Sequence, residues 1–271
     1  MVYIESKKNA KLKRLRLLAS DPKLRYSEGV YICEGMKLLQ EAVRSGVTVE
    51  SVLWEKKACD AYIQEFENLL TCEHLVTDRE IYHSVSTLKN HEGVIFVCHM
   101  ASQKRSEKSR AIALENVQDP GNVGTVIRSA DAFGVDTVYL IGECCDIYNP
   151  KTVRATMGSL FRINVIRTTF EDFLAEVRSR GEKVYCAALN SVARDIREVD
   201  LDDCVVIIGN EGKGITPEAE ENCDGAVIIP MSGKAESLNA AVASSIVMWE
   251  MNRRKCSQWL SGTGFGSAQE R

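Results

Sequence analysis

Apolar and β-branched runs recur along this chain at regular intervals, and their spacing predicts two blocks of alternating strand and helix. In the first block, VYICEG (30–35), TVESVLW (48–54), HLVT (74–77) and GVIFVC (93–98) have strand length, while MKLLQEAVRSG and ACDAYIQEFENLL between them carry apolar residues at helical spacing. In the second block, strands are expected near 111–117, 137–142, 163–168, 183–189, 204–209 and 225–230, separated by helical segments. Such alternation marks an α/β fold with a mostly parallel sheet and helices on both faces. Residues 101–110 (ASQKRSEKSR) hold no apolar side chain longer than alanine, which places a linker between a small α/β domain over 1–100 and a larger domain over 111–257. A Gly/Ser-rich flexible tail is expected over 258–271.

Several boundaries carry local chemistry. Asn122 is read as the cap of a helix whose apolar stripe is Val123, Val126, Ile127, Ala130 and Phe133, with Gly134 ending it. Asn149-Pro150 reads as a cap followed by proline at the first helical position, and Gly181 closes FEDFLAEVRSR.

With 271 residues, 45% of them hydrophobic, the chain can bury two cores. No apolar run reaches membrane-span length and the amino terminus lacks a signal-peptide stretch, so no membrane partner and a cytoplasmic location are expected. Ten cysteines form no CxxC pair, which argues for reduced thiols rather than a zinc site or a disulfide framework. His74, His83, His91 and His99 all lie far in sequence from the glycine-rich loops and are not expected to be catalytic. Net charge is −4, yet residues 1–25 carry Lys7, Lys8, Lys11, Lys13, Arg14, Arg16, Lys23 and Arg25 against Glu5 and Asp21. That stretch is either a solvated face or a contact surface for phosphates.

Three segments carry the chemistry: NVGTVIR (122–128), IGNEGKGI (208–215) and IIPMSGKAESLN (228–239). Each follows an apolar run and ends near a helix start, which puts all three at the carboxyl edge of one sheet, where α/β domains bind ligands. GNEGKG matches neither a dinucleotide fingerprint nor a nucleotide P-loop, and alone it reads as a strand-to-helix turn. Arg128, six residues after Asn122, is expected on the same side of their helix, and Ser237 could cap the helix AAVASSIVMWEM. No nucleophilic Cys-His pair is present among the three segments, which suits positioning a substrate better than cleaving one.

In combination these segments resemble the SpoU (TrmH-like) family of RNA ribose 2′-O-methyltransferases, of the SPOUT class. Its first motif matches Asn122, Gly124 and Arg128, its second Gly209, Glu211, Gly212 and Gly214, and its third Pro230, Ser237, Leu238 and Asn239. NPKTVRATMGSLFR (149–162) also looks like the family, whereas Ala240-Ala241 stands where many members carry Val-Ser. The resemblance implies an amino-terminal α/β/α RNA-binding domain, a trefoil knot, a homodimer, no metal, and S-adenosylmethionine as methyl donor. It further implies a catalytic group of Arg128, Asn122, Glu211, Ser237 and Asn239, and a cofactor site of Gly209, Gly212, Gly214, Ile229, Pro230, Met231 and Leu238. Lys7, Lys8, Lys11, Lys13, Arg14, Arg16 and Arg154 are then the RNA-binding candidates. The dimer is expected to use the terminal helix 239–254, with Ala240, Ala241, Ala243, Ser244 and Ser245 allowing close approach and Val247, Met248 and Met251 adding apolar area.

The chemistry fits that reading: a ribose hydroxyl is a poor nucleophile at neutral pH, so catalysis must align it with an activated methyl and ease proton loss. Arg128, permanently charged, suits clamping a phosphate and stabilising developing alkoxide rather than acting as base. Large-subunit ribosomal RNA is the expected substrate. The alternatives are transfer RNA, a catalytically silent RNA-binding assembly factor, and a SPOUT enzyme methylating a base nitrogen.

Overall fold

The computed structural model describes residues 1–105 and 110–261, with side chains described through residue 253. The expected linker 101–110 and tail 258–271 therefore fall partly outside the described residues. The chain forms two compact units, one of Met1–Gln103 with Asp146–Arg162, the other of Lys104–Cys145 with Ile163–Arg271.

The first unit runs β1 (Val2–Ile4), α1 (Ala10–Ser20), α2 (Pro22–Glu28), β2 (Val30–Glu34), α3 (Met36–Arg44), β3 (Val49–Glu55), α4 (Lys56–Phe66), β4 (Glu73–Thr77), α5 (Arg79–His83) and β5 (Val94–His99). Its sheet has the order β1-β4-β3-β5-β2, with β1, β4 and β3 parallel and β5 antiparallel to both neighbours. α1 buries Leu12, Leu15 and Leu18, three positions on one helical face, against Ile4, Val30, Ile32, Leu53 and Leu75. Asn9 caps α1, and Asp21 both ends α1 and caps α2, whose second signal is Pro22. The strand β1 is absent from the sequence expectation because three residues, two of them exposed, give no periodic signal.

Residues 146–162 follow the first strands of the second block in sequence but pack within the first unit. There α7 (Pro150–Ala155), capped by Asn149, lies against β2. The anchor is Asp146, whose Oδ2 accepts from the Arg25 Nη2 at 2.6 Å and whose Oδ1 accepts from the Tyr26 hydroxyl and the Tyr148 N–H. Arg25 is 2% exposed and donates its other guanidinium nitrogen to the Leu18 carbonyl. The expected second domain, continuous over 111–257, thus lends this segment to the first unit's packing. A buried cation held by one carboxylate is a weak source of stability but a costly thing to break.

The second unit contains β6 (Ala111–Glu115), α6 (Pro120–Phe133), β7 (Thr137–Ile141), β8 (Asn164–Thr168), α8 (Phe170–Ser179), β9 (Lys183–Ala187), β10 (Arg194–Asp195), β11 (Cys204–Ile208), α9 (Pro217–Asn222), β12 (Gly225–Ile228) and α10 (Ala240–Ser261). Its seven strands are all parallel in the order β10-β12-β9-β11-β6-β7-β8. Strands β6 to β8 grow outward in one direction. The chain then crosses over, and β11 slots between β9 and β6, creating a reversal of order beside which α/β sheets bind ligands. The fully buried runs of β6, β7 and β11 reflect helices covering both faces. The helix α10 continues to Ser261, past the expected boundary at 257.

Among the described residues no helix is long and apolar enough to cross a membrane, and no group of three or more His, Cys, Asp or Glu is placed to hold a metal ion.

The buried pair makes a specific prediction. Asp146→Ala should destabilise the first unit by roughly 3–5 kcal/mol in urea denaturation, because it leaves the Arg25 charge buried and unpaired. Adding Arg25→Met to it should recover part of that loss, and a double variant no more stable than Asp146→Ala alone would contradict the assignment.

Candidate active site

The site begins at the end of β11, where residues 209–215 turn back on themselves. A Cβ on Gly209 would lie 2.3 Å from the Gly214 carbonyl oxygen and 2.6 Å from the Ile215 nitrogen, so the position admits no side chain. Asn210 locks the turn: its backbone exchanges hydrogen bonds with Gly214, and its Oδ1 accepts from the Gly212 N–H at 2.9 Å and the Lys213 N–H at 3.1 Å. The Asn210 Nδ2 donates to the Asn116 carbonyl just past β6, tying the turn to the neighbouring strand. Gly214 occupies the left-handed region at φ 70°, where glycine carries no Cβ penalty. Behind the turn, Thr216 caps α9 while its N–H and hydroxyl donate to the buried Glu115 carboxylate.

The second segment enters at α6, and here the structure corrects the sequence reading. The cap is Asp119, whose Oδ1 accepts from the Asn122 N–H at 2.9 Å, with Pro120 in the first turn. Asn122 is therefore inside the helix, and its side chain is free to donate from Nδ2 to the Glu211 carboxylate and accept at Oδ1 from the Asn239 Nδ2 at 3.0 Å. The third segment is corrected likewise. Asn239, not Ser237, caps α10, its Oδ1 accepting from the Ala241 and Val242 N–H groups. One polar chain, Glu211–Asn122–Asn239, thus joins the three segments and ends on a helix N-terminus.

Beside this chain lies a cavity of about 540 Å³ at the carboxyl ends of β9, β11 and β12. Of the expected residues, Gly209, Glu211, Gly212, Gly214, Ile229, Met231, Ser237 and Leu238 line it, whereas Pro230, Asn122 and Asn239 stand outside the lining. The sequence reading missed Ala187 to Asn190 and Glu220, which also line it, with the Asn190 Nδ2 donating to the Glu220 carboxylate. The expected strand 183–189 stops at Ala187, and the residues beyond it turn into the cavity. Only their place at the same sheet edge could have signalled them.

Arg128 is not brought into this group. At about 100° per residue, six residues leave it roughly 120° around α6 from Asn122, so the expected shared face does not exist. Its side chain is exposed, and among the described residues it has no hydrogen-bond or ion-pair partner.

The basic amino terminus is mostly neutralised inside the first unit. Lys7 pairs with Glu80 at 2.6 Å, Lys11 pairs with Glu73, and Arg14 bonds Glu50 through both terminal nitrogens and Glu28 through its Nε. The hydrogen bonds to Glu50 raise the Arg14 pKa above its ordinary value, with those to Glu28 adding to them. Arg16 donates to Ser84 and to the Lys7 carbonyl, which leaves Lys8 and Lys13 as the candidates on this stretch with unpartnered side chains among the described residues. Arg154 donates to the Thr87 hydroxyl at 2.8 Å, and burial lowers its pKa, with the charge of Glu34 opposing.

The profile of the SpoU rRNA Methylase family matches residues 109–249, and that of the MRM3-like substrate binding domain matches residues 9–96. The 23S rRNA (guanosine(2553)-2′-O)-methyltransferase RlmP of Bacillus subtilis is 34% identical over 93% of this chain and 99% of its own length. A crystal structure of an rRNA methyltransferase from Sinorhizobium meliloti with S-adenosylmethionine bound superposes with a TM-score of 0.83 at 29% identity, covering 93% of this chain and 97% of that one. The SpoU methyltransferase AviRb from Streptomyces viridochromogenes, in complex with the same cofactor, gives a TM-score of 0.83 at 25% identity over 92% of this chain and 99% of its own.

The turn yields a paired prediction. Gly214→Ala meets open space and should cost about 1–2 kcal/mol for its left-handed backbone alone. Gly209→Ala must push the turn apart and should lower the melting temperature of the second unit much further; equal effects in thermal denaturation would contradict the crossing geometry.

Proposed function

The chain belongs to the SpoU rRNA Methylase family, and from that membership we propose that it transfers a methyl group from S-adenosylmethionine to a ribose 2′-hydroxyl of ribosomal RNA. The observation that carries this is the Glu211–Asn122–Asn239 chain, which draws the three motif segments together at the rim of one cavity.

The cavity suits the methyl donor. Its volume of about 540 Å³ lies in the range of roughly 300–1,000 Å³ typical of small-molecule sites. Ile208, Ile229, Met231 and Leu238 supply apolar surface for a nucleoside, and the Cβ-free Gly209 lets backbone groups approach it closely. Glu211, Glu220 and Glu236 against the single Lys213 make an acidic lining, complementary to a donor bearing a sulfonium and an ammonium against one carboxylate. When bound, the donor supplies a methyl already activated for transfer. What the protein must add is alignment and help with the hydroxyl proton.

Glu211 already accepts the Asn122 amide, which makes it an orienting group for the rim rather than the base. Arg128, exposed and without a partner among the described residues, is available to a phosphate of the substrate, where it also stabilises developing alkoxide; the proton leaves to that phosphate or to solvent. Since Arg128 does not line the cavity of its own chain, a second copy supplies it, and the active unit is a homodimer working in the cytoplasm.

We place the dimer contact on another face of the same terminal helix 239–254. Ala240, Ala241, Ser244, Val247, Met248 and Met251 are buried within the chain itself, where α10 packs on α6 and β11. Val242 and Trp249, 47% and 50% exposed, instead flank an open groove with Thr125, Phe133 and Ile246 that adjoins Asn122 and Asn239. An apolar face at the rim of the site is the natural seat of the partner copy. Lys8 and Lys13 on the first unit remain available for RNA phosphates.

Mapping 2′-O-methyl positions in ribosomal and transfer RNA of a deletion strain tests the function: loss of one ribosomal site is expected, and loss of only a transfer RNA site, or of none, would contradict it. Arg128→Ala should lower turnover on the order of 10²–10³-fold with donor affinity by calorimetry unchanged, and Arg128→Lys should not rescue it. Leu238→Asp should abolish donor binding. Mixing Arg128→Ala with Leu238→Asp chains should restore activity through one intact shared site; heterodimers that form yet stay inactive would place Arg128 and the cavity in the same subunit.

A further inference from the structure

The first unit contains a groove of about 440 Å³ formed by the start of α4, the start of α5 and the turn before β5. Its walls include Lys57, Arg79 and Lys89, all exposed and all without a hydrogen-bond or ion-pair partner among the described residues. This contrasts with the amino terminus, where Lys7, Lys11 and Arg14 are paired with carboxylates of the same unit. Free cations attract phosphates; paired ones must first break a bond that binding has to replace. Among the described residues, Lys57, Arg79 and Lys89 thus bring three unpaired cations to one groove, in addition to Lys8, Lys13 and Lys23 along the amino terminus.

Three further features shape it for a nucleotide. Tyr62, 44% exposed, presents an aromatic ring on the groove wall, and Asn90 offers an amide with no side-chain partner among the described residues. His91 also lines the groove; its side chain is only 4% exposed, its Nδ1 is buried without a hydrogen-bond partner, and the Glu55 carboxylate stands 3.9 Å away. Its other nitrogen lies 3.2 Å from the His83 Nε2. Two carboxylates, Glu55 and Glu92, share the groove, so its three cations leave a formal excess of one positive charge. Cations for the backbone, a ring for stacking and the exposed Asn90 amide for a base edge are what unpaired RNA recognition requires.

We infer that this groove seats an unpaired nucleotide of the RNA substrate, with Lys57, Arg79 and Lys89 on its phosphates and Tyr62 against its base. The inference rests on the RNA-methylating reading above and names where the first unit grips that RNA.

The test uses the full chain, a short fluorescein-labelled single-stranded RNA of mixed sequence, and the same strand annealed to its complement. Lys57→Ala, Arg79→Ala and Lys89→Ala combined should weaken single-strand binding and reduce the slope of log affinity against log salt by about 2, at roughly 0.7 for each phosphate contact. Tyr62→Ala should weaken the single strand by roughly 5- to 100-fold while leaving the duplex little changed. Far-ultraviolet circular dichroism and thermal unfolding should match the parent in every variant, which verifies folding, and calorimetric affinity for S-adenosylmethionine should be unchanged. If the parent binds RNA and the triple variant keeps its affinity and salt slope, the groove is not the seat, while the methyltransferase reading stands. If Tyr62→Ala weakens duplex and single strand equally, an unpaired nucleotide is not what is bound. A parent that binds neither RNA overturns the groove together with the RNA reading on which it rests.

Discussion

The candidate site depends on one close approach: the 209–215 turn crosses itself at Gly209, leaving no room for a Cβ. Asn210 fixes that crossing with both its backbone and its side chain and anchors it to the end of β6. Only with the turn pinned there does Glu211 reach Asn122, and only with Asn122 released from capping duty by Asp119 can it bond Glu211 and Asn239 together. Removing any member leaves a polar partner unpaired, though in an exposed setting where water can substitute in part. The glycine crossing has no such substitute.

Much of the architecture was legible before the structure. The ten longer strands appear where apolar runs of strand length place them, because both sheets bury most of those residues. β1 and β10 were not legible, since three and two residues carry no period. Which asparagine caps which helix was also hidden: Asp119 and Asn122 are both competent caps three residues apart, and Ser237 and Asn239 two apart, so the choice is made by tertiary partners. Packing of 146–162 in the first unit is long-range information, carried by Asp146 and a buried arginine 121 positions upstream.

Charge was the least legible property. Counting Lys and Arg over the first 25 residues leaves a solvated face and a phosphate-binding surface both open. The fold then brings Glu28, Glu50, Glu73 and Glu80, scattered in sequence, against those same side chains. Surface pairs of this kind add little stability, yet they decide which cations remain available to a partner. Arg128 illustrates the same point from the other side: its value to the proposed chemistry lies in being unpaired, and a helix-face count without the correct angle misplaces it.

The position that receives the methyl group separates ribose methylation from base methylation. Incubating the protein with ribosomal RNA and S-adenosylmethionine carrying a trideuterated methyl, then digesting to nucleosides for fragmentation mass spectrometry, reads that position directly. The label should appear on the ribose fragment of a single nucleoside. A label on the base fragment, or none on RNA that the protein demonstrably binds, would contradict the assignment of this site to ribose 2′-O-methylation.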